Sequence, residues 1–351
     1  MIKRIELRQQ LNILALFMIV QFGGLILASL VFSTTPLTSL ASAQNNGQIN
    51  TPAQALWFFV YFIVATLVIL LIFKVYHGDV LFRLLEGFVI VVSSLFVFLV
   101  ILDYLFPNIQ GFAPILALLL AVLLIILKNK QPKLRNTVAI IASMGVGLVL
   151  GLDFGFSIAY ILVVVIAIYD YVAVFVTKHM LTLAKAVSSR GLAFLIGSTD
   201  IEVIPKGFFN KEEAKEYEEY KKELRKIKNP IIKNLIKKGK LPLISQIQLG
   251  AGDLGIPLML AISSYKIAAS YFLPVCVAIG AVFGMIYTIY IQKKFLIPLP
   301  AIPPLFSFMS MALGLALLPA GFRYFIIFFA IGIGMLGIFT LEAKRTSRHK
   351  T

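Results

Sequence analysis

The stretch Leu249-Gly250-Ala251-Gly252-Asp253-Leu254-Gly255 sets a carboxylate and three glycines inside a run, residues 243–262, that is otherwise apolar enough to cross a membrane. An ionised aspartate at the centre of a bilayer helix costs roughly 2.5 to 3.5 kcal/mol on insertion scales. Such an acid is a functional hypothesis by default, and it needs a named partner. Two questions follow: whether the chain around Asp253 is a membrane bundle, and whether that bundle supplies a second acid.

The first answer comes from composition. The 351 residues are 60% hydrophobic and 14% charged, against roughly 25% charged in a soluble domain. Apolar runs recur at residues 11–32, 55–73, 84–106, 112–127, 137–152, 154–176, 243–262, 267–291, 295–318 and 322–341. Crossing a bilayer as a helix takes roughly 20 residues, so these predict an all-α polytopic membrane protein of ten spans. Continuous runs exclude a transmembrane barrel, which would show short alternating segments. The basic start and the Ala41-Ser42-Ala43 triplet look like a signal peptide, but the first run is longer than the roughly 7 to 15 residues of a signal core, and it is read as span one. Cys276 is the lone cysteine beside three histidines, so neither an intrachain disulfide nor a Cys/His metal cluster is expected, and no metal or cofactor is implied.

Between spans six and seven the chain turns polar, which divides it into residues 1–177, a basic loop 178–242, and residues 243–351. Met180, Leu183, Ala184 and Val187 share one helical face, predicting that span six runs on into an amphipathic turn at the surface. Residues 210–228 form a charged helix candidate with Asn210 as N-cap and a Glu218–Lys222 pair, most simply a solvated helix without chemistry. The net charge of +16 has a topological cause rather than a nucleic-acid one. With ten spans, 30 of the 32 Lys and Arg fall on one side and only Lys266 and Arg323 on the other. Because basic residues are retained in the cytoplasm, both termini and the 178–242 loop are expected there, in a multi-pass plasma-membrane protein without nucleic-acid partners.

Five acids lie in or beside the apolar runs: Glu86, Asp103, Asp153, Asp170 and Asp253. Glu86 and Asp103 are close to the ends of span three, and Asp153 falls in the turn between spans five and six, so an interfacial role suffices for these three. Asp170 is roughly 9 Å deep in span six and Asp253 roughly 15 Å deep in span seven, counted from the same side at 1.5 Å per residue. Antiparallel neighbours would let the two face each other. Carboxylates held close cannot both ionise readily, so they share a proton and titrate as a pair. Taken alone, two such acids fit a structural pair or a proton relay as well as a hydrolytic dyad.

The neighbours of each acid narrow the choice. Asp170 follows Tyr169, Asp253 closes Gly250-Ala251-Gly252-Asp253, and Pro298-Leu299-Pro300-Ala301-Ile302-Pro303-Pro304 opens span nine. These resemble, in order and on the sixth, seventh and ninth spans, the YD, GxGD and PAL signatures of the presenilin and signal peptide peptidase family. The run Thr177-Lys178-His179-Met180 is most similar to the prokaryotic members. The resemblance covers residues 154–318. It departs from the family pattern in reading Pro300-Ala301-Ile302 for Pro-Ala-Leu, and in the last run, which would add a tenth span to a nine-helix presenilin-like bundle.

The resemblance implies an intramembrane aspartyl protease acting on transmembrane helices of membrane proteins, with Asp170 and Asp253 as catalytic acids and no accessory subunit required. Tyr169, Gly250, Ala251, Gly252, Pro300, Ala301 and Ile302 would shape the cleft. In that chemistry one ionised Asp takes a proton from the attacking water while the other, protonated, donates to the peptide carbonyl. Gly250 and Gly252 would let a substrate backbone approach Asp253, although small residues also serve plain helix packing. Prolines 298, 300, 303 and 304 would prevent regular helix and free backbone groups to pair with an unwound substrate strand, unless they simply start a helix. The rivals are a proton- or cation-coupled transporter or leak channel using the same acids, and a catalytically silent chaperone for membrane helices.

Overall fold

The computed structural model describes residues 2–33, 57, 60, 61, 64, 68, 80–109, 111–131, 134–177, 195–204, 241–268, 270–295 and 299–348. Most of span two, the amphipathic turn after span six, the 210–228 helix and Pro298 lie outside the described residues. Among those described there are nine α-helices: α1 (Ile2–Ser33), α2 (Val80–Leu105), α3 (Ala113–Lys130), α4 (Arg135–Asp153), α5 (Phe156–Tyr171), α6 (Ala251–Ala268), α7 (Phe272–Phe295), α8 (Ile302–Ala316) and α9 (Phe322–Arg348). Seven of them, α1 to α5, α7 and α9, are long and apolar enough to cross a membrane; α8 is apolar but has only 15 residues. The tenth run is thus a helix of spanning length, Phe322–Arg348.

Two strands, β1 (Leu195–Ile204) and β2 (Leu241–Gly250), pair in a two-stranded sheet. The seventh run, read as one span from residue 243, is therefore strand first and helix only from Ala251. Its first half reads Gln246-Ile247-Gln248-Leu249, the polar/apolar alternation of a strand. The depth of Asp253 counted along ten residues of helix does not apply, because Asp253 lies in the first turn of α6.

The chain divides into two compact units, Met1–Ile13 with Gly197–Gln248, and Leu14–Ile196 with Leu249–Thr351. The first holds the start of α1 and most of the sheet. The second holds the helical bundle with both aspartates, and it is built by close backbone approach. A Cβ on Gly147 would sit 2.7 Å from Leu258 Cδ2 and 2.9 Å from the Gly255 carbonyl, and one on Gly151 2.7 Å from Ile262 Cβ. Glycines on α4 thus seat α6 against it, as small residues do where helices meet in a membrane. On the other flank, a Cβ on Gly332 of α9 would meet the Ser307 carbonyl of α8 at 2.6 Å. Ser310 Oγ donates to the Phe328 carbonyl at 2.7 Å and lies 2.7 Å from Tyr160 Oη, joining α8, α9 and α5.

The three acids read as interfacial behave differently from one another. Glu86 is buried, 3% exposed, and ion-paired with Lys128 of α3, so it reaches a cation inside the bundle instead of water. Ion pairing answers the burial of a charge where solvent cannot. Asp153 ends α4 beside Lys266, whose Nζ donates to the carbonyls of Leu152 at 2.5 Å and Phe154 at 2.8 Å. Asp103 is half-buried near the end of α2.

Candidate active site

Asp170 is the penultimate residue of α5, 8% exposed, just before the helix widens into a π-turn over Val172–Val176. The wider turn is closed by the Thr177 N–H donating to the Val172 carbonyl at 2.9 Å, five residues back. Single π-turns inside helices recur at functional sites. The Asp170 carboxylate turns toward the start of α8, where its Oδ2 accepts the Ile302 N–H at 3.3 Å.

That bond follows from the proline pattern. A helix leaves its first N–H groups without intrahelical partners. In α8 the second and third positions, Pro303 and Pro304, have no N–H to leave. Leu305 donates to the Ala301 carbonyl at 3.3 Å, which leaves the Ile302 N–H, and Asp170 takes it. The prolines therefore start a regular helix at Ile302 instead of preventing one, as they can in a first turn. The Ile302 N–H is directed at the acid rather than held open for a substrate strand. Pro300, Ala301 and Ile302 are buried there, so the third signature forms the seat of Asp170.

Asp253 also meets a helix N-terminus, its own. Its Oδ2 accepts the Gly250 N–H at 3.2 Å, closing the first turn of α6. A Cβ on Gly250 would stand 3.1 Å from that oxygen, so the absent side chain makes room for the carboxylate itself. Gly252 is exposed, and a Cβ there would find Ile256 Cδ1 at 4.0 Å as its nearest neighbour. The two motif glycines thus do different things: Gly250 accommodates the acid, and Gly252 leaves its flank open. Gly255 does neither, packing against the Ser143 carbonyl of α4 at a Cβ distance of 3.3 Å.

The helices α5 and α6 pack against each other, and the charge of Asp170 acts on Asp253. The two acids are within electrostatic reach, each with an oxygen on a backbone N–H at a helix start. Tyr169 is 37% exposed, on the helix turn of Asp170. Ala251 is the first residue of α6, and its carbonyl accepts Ser143 Oγ at 3.3 Å. Among the described residues no group of three or more His, Cys, Asp or Glu is placed to hold a metal ion.

Three neighbours of the site were not singled out in the sequence: Gln21, Ser143 and Pro257. Gln21 of α1 is fully buried and its Nε2 donates to the Leu254 carbonyl at 2.9 Å. Pro257 stands inside α6, four residues after Asp253. A lone glutamine in the apolar run 11–32 and a proline in an apolar helix were the available signals, weak because either can be tolerated without a role.

Two carboxyl groups within electrostatic reach of each other in a bundle of apolar helices fit a membrane-embedded hydrolase or relay, and the family to which the chain belongs distinguishes the two. The chain matches the family model described as signal-peptide peptidase, presenilin aspartyl protease over residues 14–304, and it belongs to that family. It is an intramembrane aspartyl protease, an aspartic endopeptidase whose substrates are membrane proteins in the bilayer. The fold is similar to that of a presenilin family intramembrane aspartate protease solved in a C222 crystal form, with 17% identity, a TM-score of 0.53, and 87% of this chain and 95% of that chain covered. The P2 crystal form gives 18% identity, the same TM-score, and 86% and 96% coverage. No curated protein matches the chain.

Proposed function

We propose that Asp170 and Asp253 are the catalytic dyad and that water is the nucleophile. The observation that carries the reading is their placement: acids on packed helices, within electrostatic reach, each accepting a backbone N–H at a helix start. One carboxylate accepts the proton of water as it attacks the peptide carbonyl; the other donates its proton to the carbonyl oxygen and then assists the amine to leave. The water oxygen ends in the new carboxyl, so no covalent enzyme intermediate is needed. Gly252 leaves the flank of Asp253 open for a substrate backbone, Tyr169 shapes the cleft beside Asp170, and Gly250, Ala251 and Pro300 to Ile302 hold the acids in place.

The three-part organisation at 1–177, 178–242 and 243–351 belongs to this reading, with each acid close in sequence to the polar loop. Both termini and the loop face the cytoplasm of a plasma-membrane protein, because 30 of 32 basic residues then lie inside. A substrate would enter with its N-terminus outside. The chain works without accessory subunits and without nucleic acid. The test uses the purified full-length chain in liposomes with a single-span peptide. Asp170→Ala and Asp253→Ala each abolish cleavage while the protein still purifies folded; retained cleavage in either single variant contradicts the assignment.

A further inference from the structure

The turn that carries Asp253 is short of its own hydrogen bonds. A helical carbonyl is normally paired with the N–H four residues on, but the residue four beyond Asp253 is Pro257, which has none. The Asp253 carbonyl is left without that partner, and two side chains from other helices donate to carbonyls on either side of it. Ser143 Oγ of α4 donates to the Ala251 carbonyl at 3.3 Å, and Gln21 Nε2 of α1 donates to the Leu254 carbonyl at 2.9 Å. The two carbonyls bracket Asp253 in sequence, and the donors come from two different helices. Steric seating accompanies the polar contact: a Cβ on Gly24, one turn along α1 from Gln21, would lie 2.3 Å from Leu258 Cδ2. The Leu258 side chain of α6 thus fills the space that a side chain at residue 24 would take.

Gln21 is a costly choice for this seat. It is fully buried, and its Oε1 has no hydrogen-bond partner among the described residues. A buried acceptor left unpaired destabilises the fold, and methionine would fill a similar volume without that cost. The carbonyl of Leu254 also fixes the amide orientation, since turning Oε1 toward it would set two acceptors face to face. A side chain that costs stability yet donates beside the acid points to a role in catalysis rather than in folding.

We propose that Gln21 is a positioning residue of the protease: its amide, together with Ser143, holds the Pro257-weakened first turn of α6 so that Asp253 keeps its place opposite Asp170. This rests on the proposed catalytic role of Asp253. Displacement of a reacting group by a fraction of an ångström lowers the chemical step more than binding. Gln21→Met is therefore expected to lower kcat about tenfold with KM within about twofold of wild type.

The measurement is cleavage of a single-span peptide by the full-length chain in liposomes, alongside Asp253→Ala. Adding Ser143→Ala to Gln21→Met deepens the loss beyond the product of the single effects, because each donor covers for the other. Gln21→Glu, whose carboxyl when protonated still donates to the Leu254 carbonyl, keeps at least about half of the kcat that the wild type shows at the same acidic pH. It is the variant read if Gln21→Met does not purify folded. An unchanged kcat in Gln21→Met, a loss confined to KM, or a Gln21→Glu that is folded but inactive at that acidic pH overturns the proposal. Cleavage by Asp253→Ala overturns the dyad instead, so the two failures are distinguishable.

Discussion

At the scale of single residues, the site depends on where side chains are missing as much as on where acids are present. Gly250 is in van der Waals range of the Asp253 carboxylate, whereas Gly252 is exposed with almost nothing near its absent Cβ. Alanine at the two positions should therefore separate two effects. Gly250→Ala crowds Oδ2 at 3.1 Å and shifts the acid, so kcat is expected to fall about tenfold. Gly252→Ala adds a methyl group on the open flank, leaves the acid in place, and is expected to raise KM with little change in kcat. Steady-state cleavage at several substrate loadings in liposomes distinguishes them; the same change in both variants would mean that the glycines share one role. The acids themselves were legible in the sequence because a charge in an apolar run stands out. Gln21 was not, since an uncharged amide costs less in the membrane and its partner lies 233 residues away.

At the scale of elements, length and hydropathy gave the helices, and local hydrogen bonding decided how they start. Residues 243–262 carry enough apolar side chains for a span, yet Leu241–Gly250 pairs with Leu195–Ile204 as a strand. Hydropathy does not separate an apolar strand from an apolar helix, and the alternation at residues 246–249 was the only local sign. The start of α8 is a second case. Four prolines within seven residues suggested broken backbone, but only Pro303 and Pro304 fall inside the helix, at positions where a missing N–H costs nothing. Their effect is selective: they leave Ile302 to donate to Asp170. Glu86 is a third, since its partner Lys128 lies on the next helix and no local pattern identifies a pair across two elements.

At the scale of the whole molecule, α9 lies wholly past the family match, which ends at residue 304. It is bound to α8 by the Gly332 contact and the Ser310–Phe328 bond, to α5 by Phe328 against the rings of Phe156 and Tyr160, and to the π-turn after α5 by Phe339 against Phe175. Its 27 residues would rise about 40 Å, long enough to span. A full crossing puts residues 320 and 347 on opposite sides of the membrane. In a Cys276→Ser background, Ala320→Cys is expected to react with a membrane-impermeant maleimide in right-side-out vesicles and Ser347→Cys in inside-out ones. Labelling of both from one side would make α8 and α9 a re-entrant pair.

The central claim is that Asp170 and Asp253 act as one proton-sharing unit, and infrared titration of the aspartate carboxyls in the reconstituted protein tests it most directly. A coupled pair gives a wild-type curve that differs from the sum of the curves of Asp170→Asn and Asp253→Asn, with one protonated and one ionised carboxyl across the pH range of maximal cleavage. A wild-type curve equal to that sum would mean that the acids titrate independently, and would contradict the account.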